Sequence, residues 1–192
     1  MAENRVQFGL KSVFFAKLTE TVASNGTVTY TYATPVAMPG AVTLTLTQSG
    51  SSEPFYADNI VFYQSIANNG YEGDLELARV PDSFYTTILG YTQTSTGKVL
   101  QENSAAEPAS FALLYQIDGD SSNEDYVLYK VTAQRPEVGS STITDTKTPQ
   151  TMTMSISAIP RPDGLVFART TDSTPTATKS GWFSSVYESD SP

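Results

Sequence analysis

Polar and apolar positions alternate along much of this chain. "TVTYTY" at Thr27–Tyr32 sets Val28, Tyr30 and Tyr32 against threonines, and "AVTLTLT" at Ala41–Thr47 does the same with Val42, Leu44 and Leu46. A period of two marks half-buried strands, with hydroxyls on one face and apolar groups on the other. The intervening "ATPVAMPG", with two prolines and a glycine, predicts a connection. "FALLYQI" at Phe111–Ile117 and "YVLYKVTA" at Tyr126–Ala133 flank the polar "DGDSSNED" and predict a hairpin with a longer loop. "TMTMSISA" at Thr151–Ala158 alternates again, and "GLVFART" at Gly164–Thr170, after a Pro-Asp-Gly turn, is expected to complete a hairpin with it.

One segment departs from this period. "PDSFYTTILG" at Pro81–Gly90 has proline at its start, Asp82 or Ser83 as N-cap and Gly90 just past its end. Phe84 and Ile88 are four apart, as are Tyr85 and Leu89, so a short helix over about residues 82–89 is expected to lie on the sheet. Three polar stretches, Gln48–Glu53, Thr92–Pro108 and Pro136–Gln150, read as loops. The tail from about residue 171 is rich in Ser, Thr and Pro yet carries Trp182, Phe183, Val186 and Tyr187. It reads as a tethered arm that docks on a surface, its own or a neighbour's. The fold class is therefore mainly β, one domain over 1–192, with a single flanking helix.

Composition narrows the chemistry. The 192 residues include no cysteine and no histidine. Thiolate sites, disulfides and Ser-His-Asp or Cys-His catalysis are thereby excluded, as is the commonest transition-metal ligand. A formal charge of −9 argues against nucleic-acid binding in a basic groove. No apolar run approaches the ~20 residues a membrane helix needs, and no membrane contact is expected. Charged residues are only 16%, while Ser and Thr make up about a quarter. Lysine usually guards exposed strand edges, so so few charges suit either strands that meet other strands or an ordinary Thr-rich β-protein.

The candidate sites are acidic. Glu72, Asp74 and Glu76 alternate on a predicted strand, ~7 Å between successive members, within the ~5–9.5 Å of paired glycosidase carboxylates. Alternation with Leu75 and Leu77 equally describes an exposed strand face. Asp118, Asp120 and Ser122 begin like a calcium loop, but Asn123 stands where glycine belongs and Tyr129 where the bidentate glutamate belongs. No glycine-rich phosphate cradle occurs. No catalytic residue, cofactor or metal is assigned. A monomeric, carbohydrate-binding β-sandwich stays open as an alternative, given the many aromatics.

The order of particular motifs says more. "GLKSVFFAKL" at Gly9–Leu18, "TPVAMPGAVTLTL" at Thr34–Leu46, "FYADN" at Phe55–Asn59 and "NNGYEGDLELARVPDSF" at Asn68–Phe84 come first. "ALLYQIDGD" at Ala112–Asp120, "TAQRPEV" at Thr132–Val138 and "PRPDGLVFART" at Pro160–Thr170 follow. Together, over roughly Gly9 to Tyr187, they resemble the major tail proteins, or tail-tube proteins, of long non-contractile-tailed bacteriophages. The resemblance implies a β-sandwich or barrel-like subunit whose six copies close into a ring. Rings stack into the tail tube of the virion, made in the bacterial host's cytoplasm, through which DNA passes without specific binding. Its partners would be itself and the tape-measure, tail-tip and terminator proteins. Asp58, Asn59 and Gly70 would then be turn residues, and Glu72, Asp74 and Glu76 architectural, solvated or paired with a neighbour's cation. Gln48–Phe55 and Trp182–Tyr187 are the expected inter-subunit segments, with Phe55, Tyr56, Trp182, Phe183 and Tyr187 as contacts. Acidic side chains facing the channel would repel the phosphate backbone.

Overall fold

The computed structural model describes residues 6–119, 123–142 and 149–188. Its first strand, β1 (Gln7–Val22), runs antiparallel to β2 (Val28–Tyr32) and pairs briefly with β3 (Val36–Ala37), which lies inside the predicted connection. Next come β4 (Ala41–Gln48), the hairpin β5 (Ser52–Ala57) and β6 (Ile60–Ile66), β7 (Tyr71–Leu77) and the helix α1 (Asp82–Thr87). A two-residue ribbon, β8 (Thr92–Gln93) and β9 (Leu100–Gln101), interrupts the predicted loop. The chain continues through β10 (Phe111–Gly119), β11 (Glu124–Ala133), β12 (Met152–Ala158), β13 (Phe167–Arg169) and a second helix, α2 (Thr176–Gly181).

The large sheet runs β2-β1-β10-β11-β12-β7-β4, all antiparallel, and curls until β4 lies beside β1. Inward-facing residues of the alternating strands meet there: Phe15, Leu75, Leu77, Leu113, Met154 and Ile156 are buried in one core. The helix α1 plugs that core, with the Phe84 ring edge-on to Phe15 at 5.1 Å and to Phe111 at 5.3 Å. Ile88 and Leu89 are fully buried beside it; the helix ends at Thr87, short of the expected residue 89, and Gly90, three residues on, adopts a φ of +75°. Pro81, not Asp82 or Ser83, occupies the N-cap, and no side chain caps the helix. The mainly β class read from the alternation is present, and the large curled antiparallel sheet agrees with the sandwich-like architecture that the resemblance implies.

One strand pairing differs from the sequence reading, and a second helix joins the single one expected. The segment after the Pro-Asp-Gly turn does not form a hairpin with β12; β13 pairs with β11 through Tyr126–Leu128. β12 pairs with β11 only at Val131–Ala133, leaving the remaining edge of β11 to β13. The segment expected as an arm is packed on its own sheet. Behind α2, Trp182 is buried with Ala112, Leu114, Val127 and Tyr129 in a second core, on the outer face of β10 and β11. Covered on both sides, β10 is buried without a break from Phe111 to Tyr115. No helix among the described residues is long and apolar enough to cross a membrane.

Candidate functional site

Two surfaces stand out, one polar and one apolar. On the polar one, strand pairing aligns Glu72 with Thr47 and Ser157, Asp74 with Thr45 and Ser155, and Glu76 with Thr43 and Thr153. Three carboxylates thus run down the centre of a hydroxyl-covered face. Ser155 Oγ donates to Asp74 at 2.7 Å, Thr151 Oγ1 to Glu76 at 2.5 Å and Ser49 Oγ to Glu72 at 3.3 Å. β4, β7 and β12 contain no Lys or Arg, and none of the three acids forms an ion pair among the described residues. Glu72 and Asp74 line an open depression of 570 Å³, but both are exposed, and acid–base chemistry on a sugar needs one carboxyl in a dry setting.

Gly70 makes the turn into this strand. Its amide donates to Asn68 Oδ1 at 3.1 Å, its φ is +99°, and a Cβ there would lie 1.9 Å from the Ala158 carbonyl oxygen. Only glycine meets both conditions.

The apolar surface is the β5–β6 hairpin, whose strands pair with each other and, among the described residues, with no other strand. Asp58 and Asn59 form its two-residue turn, both at positive φ (53° and 61°), the conformation of a type I′ turn. Neither side chain makes a hydrogen bond among the described residues, so these two residues act through their backbone. Phe55 sits opposite Tyr63, and Tyr56 opposite Val61. Ile60, Val61, Phe62 and Tyr63 are consecutive, so they point to both faces, and each is more than half exposed. With Phe55, Tyr56 and Ile66 they expose on the order of 800 Å² of side chain, one partner's share of a standard interface. Residues 60–63 form a continuous apolar stretch, at the start of a strand that sequence reasoning left unassigned. The available signal was a short Asp-Asn turn between two β-branched and aromatic runs.

The other expected contacts lie elsewhere. Trp182 is 3% exposed, its Nε1 donates to the Tyr126 carbonyl at 3.3 Å, and Tyr187 stacks on it at 5.3 Å. Phe183 packs on Phe14 at 5.0 Å. Trp182 is therefore taken up by its own chain, leaving Tyr187, 39% exposed, as the accessible ring of the group. The end of this segment is fastened by Arg161, which is buried. Its guanidinium forks onto the Asp163 carboxylate, reaches Glu188 at 2.7 Å and Tyr32 Oη at 3.2 Å, and lies 4.0 Å from the centre of the Tyr30 ring. That guanidinium holds the Asp163 carboxyl below the usual carboxylate range, and burial pushes the Tyr32 phenol up to about 12. Of the calcium-loop candidates, Asp120 and Ser122 lie outside the described residues, and Asp118 pairs with Lys11. The chain matches no protein-family model and no curated protein.

Proposed function

We infer that this chain is a self-assembling structural subunit, a tail-tube protein of a long-tailed, non-contractile phage, and not an enzyme. The observation that carries the reading is the β5–β6 hairpin, an uncovered apolar element too exposed to be held by its own fold. An isolated two-stranded hairpin is marginal in water, and exposed apolar surface of this extent marks an interaction site. The motif order supplies the type of assembly: rings, six copies each, stacked into a DNA-conducting tube within the virion. The acidic, hydroxyl-covered face of β4, β7 and β12 supports the same reading. Free of cations, it offers a passing phosphate backbone nothing to bind. We place this face toward the channel.

Sedimentation over a wide concentration range tests the reading. The wild-type chain is expected to grow into large species, while Phe55→Thr/Phe62→Thr/Ile66→Thr, altering only exposed positions, stays monomeric with an unchanged melting temperature. Equal behaviour of the two proteins, or monomers that bind glycans, would count against it.

A further inference from the structure

Where α1 enters the inner core, Phe84 fills it against Phe111 of β10. Tyr115 lies on the same face of β10, four residues and about 13 Å further along. The core is not filled there. A pocket of 170 Å³ opens between β4, β7, β10, β11 and β13, lined by Leu46, Tyr71, Tyr115, Tyr126, Leu128 and Phe167. Strand register builds it, with Tyr115 opposite Tyr126 and Phe167 opposite Leu128. Tyr115 and Tyr126 stack at 5.0 Å, and Tyr71 meets Phe167 edge-on at 5.8 Å. No charged side chain lines the pocket. Tyr126 donates its hydroxyl to Glu124 at 2.6 Å. Tyr115 is only 7% exposed, yet its hydroxyl makes no hydrogen bond among the described residues. Burial, with the phenols of Tyr126 and Tyr71 nearby, pushes the Tyr115 phenol far above its ordinary range, so it stays protonated and able to donate.

We propose that this pocket binds a small free phenol, an uncharged molecule of one aromatic ring whose hydroxyl pairs with that of Tyr115. Volume selects a single ring, since an apolar cavity of about 150 Å³ holds benzene. Four aromatic side chains in the lining favour that ring over an aliphatic chain, because offset and edge-on ring pairs attract beyond the area they bury. The uncharged lining excludes an ion, which would leave water with no partner. It also offers a sugar too few hydrogen bonds for its several hydroxyls. Tyr115 selects the ligand's hydroxyl: a buried polar group normally has a partner, and a ligand oxygen in the pocket supplies one. The site is separate from the β5–β6 hairpin and plays no part in the contact between copies.

Calorimetric titration of the full chain with p-cresol, and with toluene as the same ring without the hydroxyl, tests the proposal. One p-cresol per chain is expected to bind, with a Kd on the order of 0.1–1 mM. It should bind about tenfold more tightly than toluene. Tyr115→Phe should abolish that difference while leaving toluene binding and the melting temperature unchanged. Phe167→Ala, at a position 42% exposed, should weaken both ligands about tenfold. Saturating p-cresol should leave the sedimentation of the wild-type chain unchanged. No saturable binding up to about 10 mM, equal binding of p-cresol and toluene, tighter binding of choline, or indifference to both substitutions overturns the proposal. Loss of self-association on adding p-cresol would give the pocket to an aromatic side chain of another copy, and overturns it too.

Discussion

At the residue scale, Arg161 is a buried cation held by several polar partners. Its buried guanidinium joins β2 through Tyr32, the turn before β13 through Asp163, and the end of the C-terminal segment through Glu188. The carboxylates of Asp163 and Glu188 are partly exposed and stay solvated without it, so Arg161→Met is expected to lose about 1–2 kcal/mol in urea unfolding, the worth of its charge-assisted hydrogen bonds. Lysine should rescue little of it, because one ammonium cannot reproduce the fork. Two aspartates respond to pH in opposite senses. Asp163 is lowered by the Arg161 guanidinium, so its stabilisation is complete above the unfolded-state pKa and is lost as pH falls through the folded one. Asp125 is raised chiefly by burial, against a Gln116 hydrogen bond at 2.6 Å. Its contribution is complete below the unfolded value and is lost as pH rises through the folded one. Melting curves from about pH 3 to about pH 8 check this. Relative to wild type, Asp125→Asn should gain as pH rises through the acid range.

At the scale of elements, alternation made β2, β4 and β12 legible, because each turns a row of hydroxyls away from the core, whereas β10 and β11 were legible as apolar-rich runs flanking a polar loop and are covered on both faces. Alternation does not name a partner, however. The three residues of β13 were placed beside β12 by sequence proximity, whereas the free edge of β11 at Tyr126–Leu128 decides their position. The C-terminal segment read as an arm because Ser, Thr and Pro are poor helix formers. A six-residue helix has little stability alone, and it is Trp182, seated on Tyr129 and Leu114, that holds it. Trp182→Ala should therefore cost about 3–5 kcal/mol and strip α2 of amide-exchange protection while the inner core keeps its own. For the candidate site, the turn at Asp58–Asn59 was readable and its flanking strand was not, since "IVFY" is apolar at every position and shows no period. The missing period goes with a strand that packs neither face on its own core. The acidic face gives a separate test. Glu72→Lys/Asp74→Lys/Glu76→Lys should confer salt-dependent duplex DNA binding, measured by fluorescence anisotropy, that the wild type lacks.

At the scale of the whole molecule, two features support the proposal that copies of this chain join: a β-domain already filled by its own helix, and a hairpin left bare. Heterologous contacts close into rings when the rotation between copies fits, and otherwise run on as filaments. The central claim is the ring that stacks into a tube. Negative-stain electron microscopy of the purified chain, from dilute to concentrated, tests it most directly. Hollow tubes or rings with sixfold end views are the predicted result. Monodisperse single copies at every concentration, or solid filaments without a channel, would contradict it.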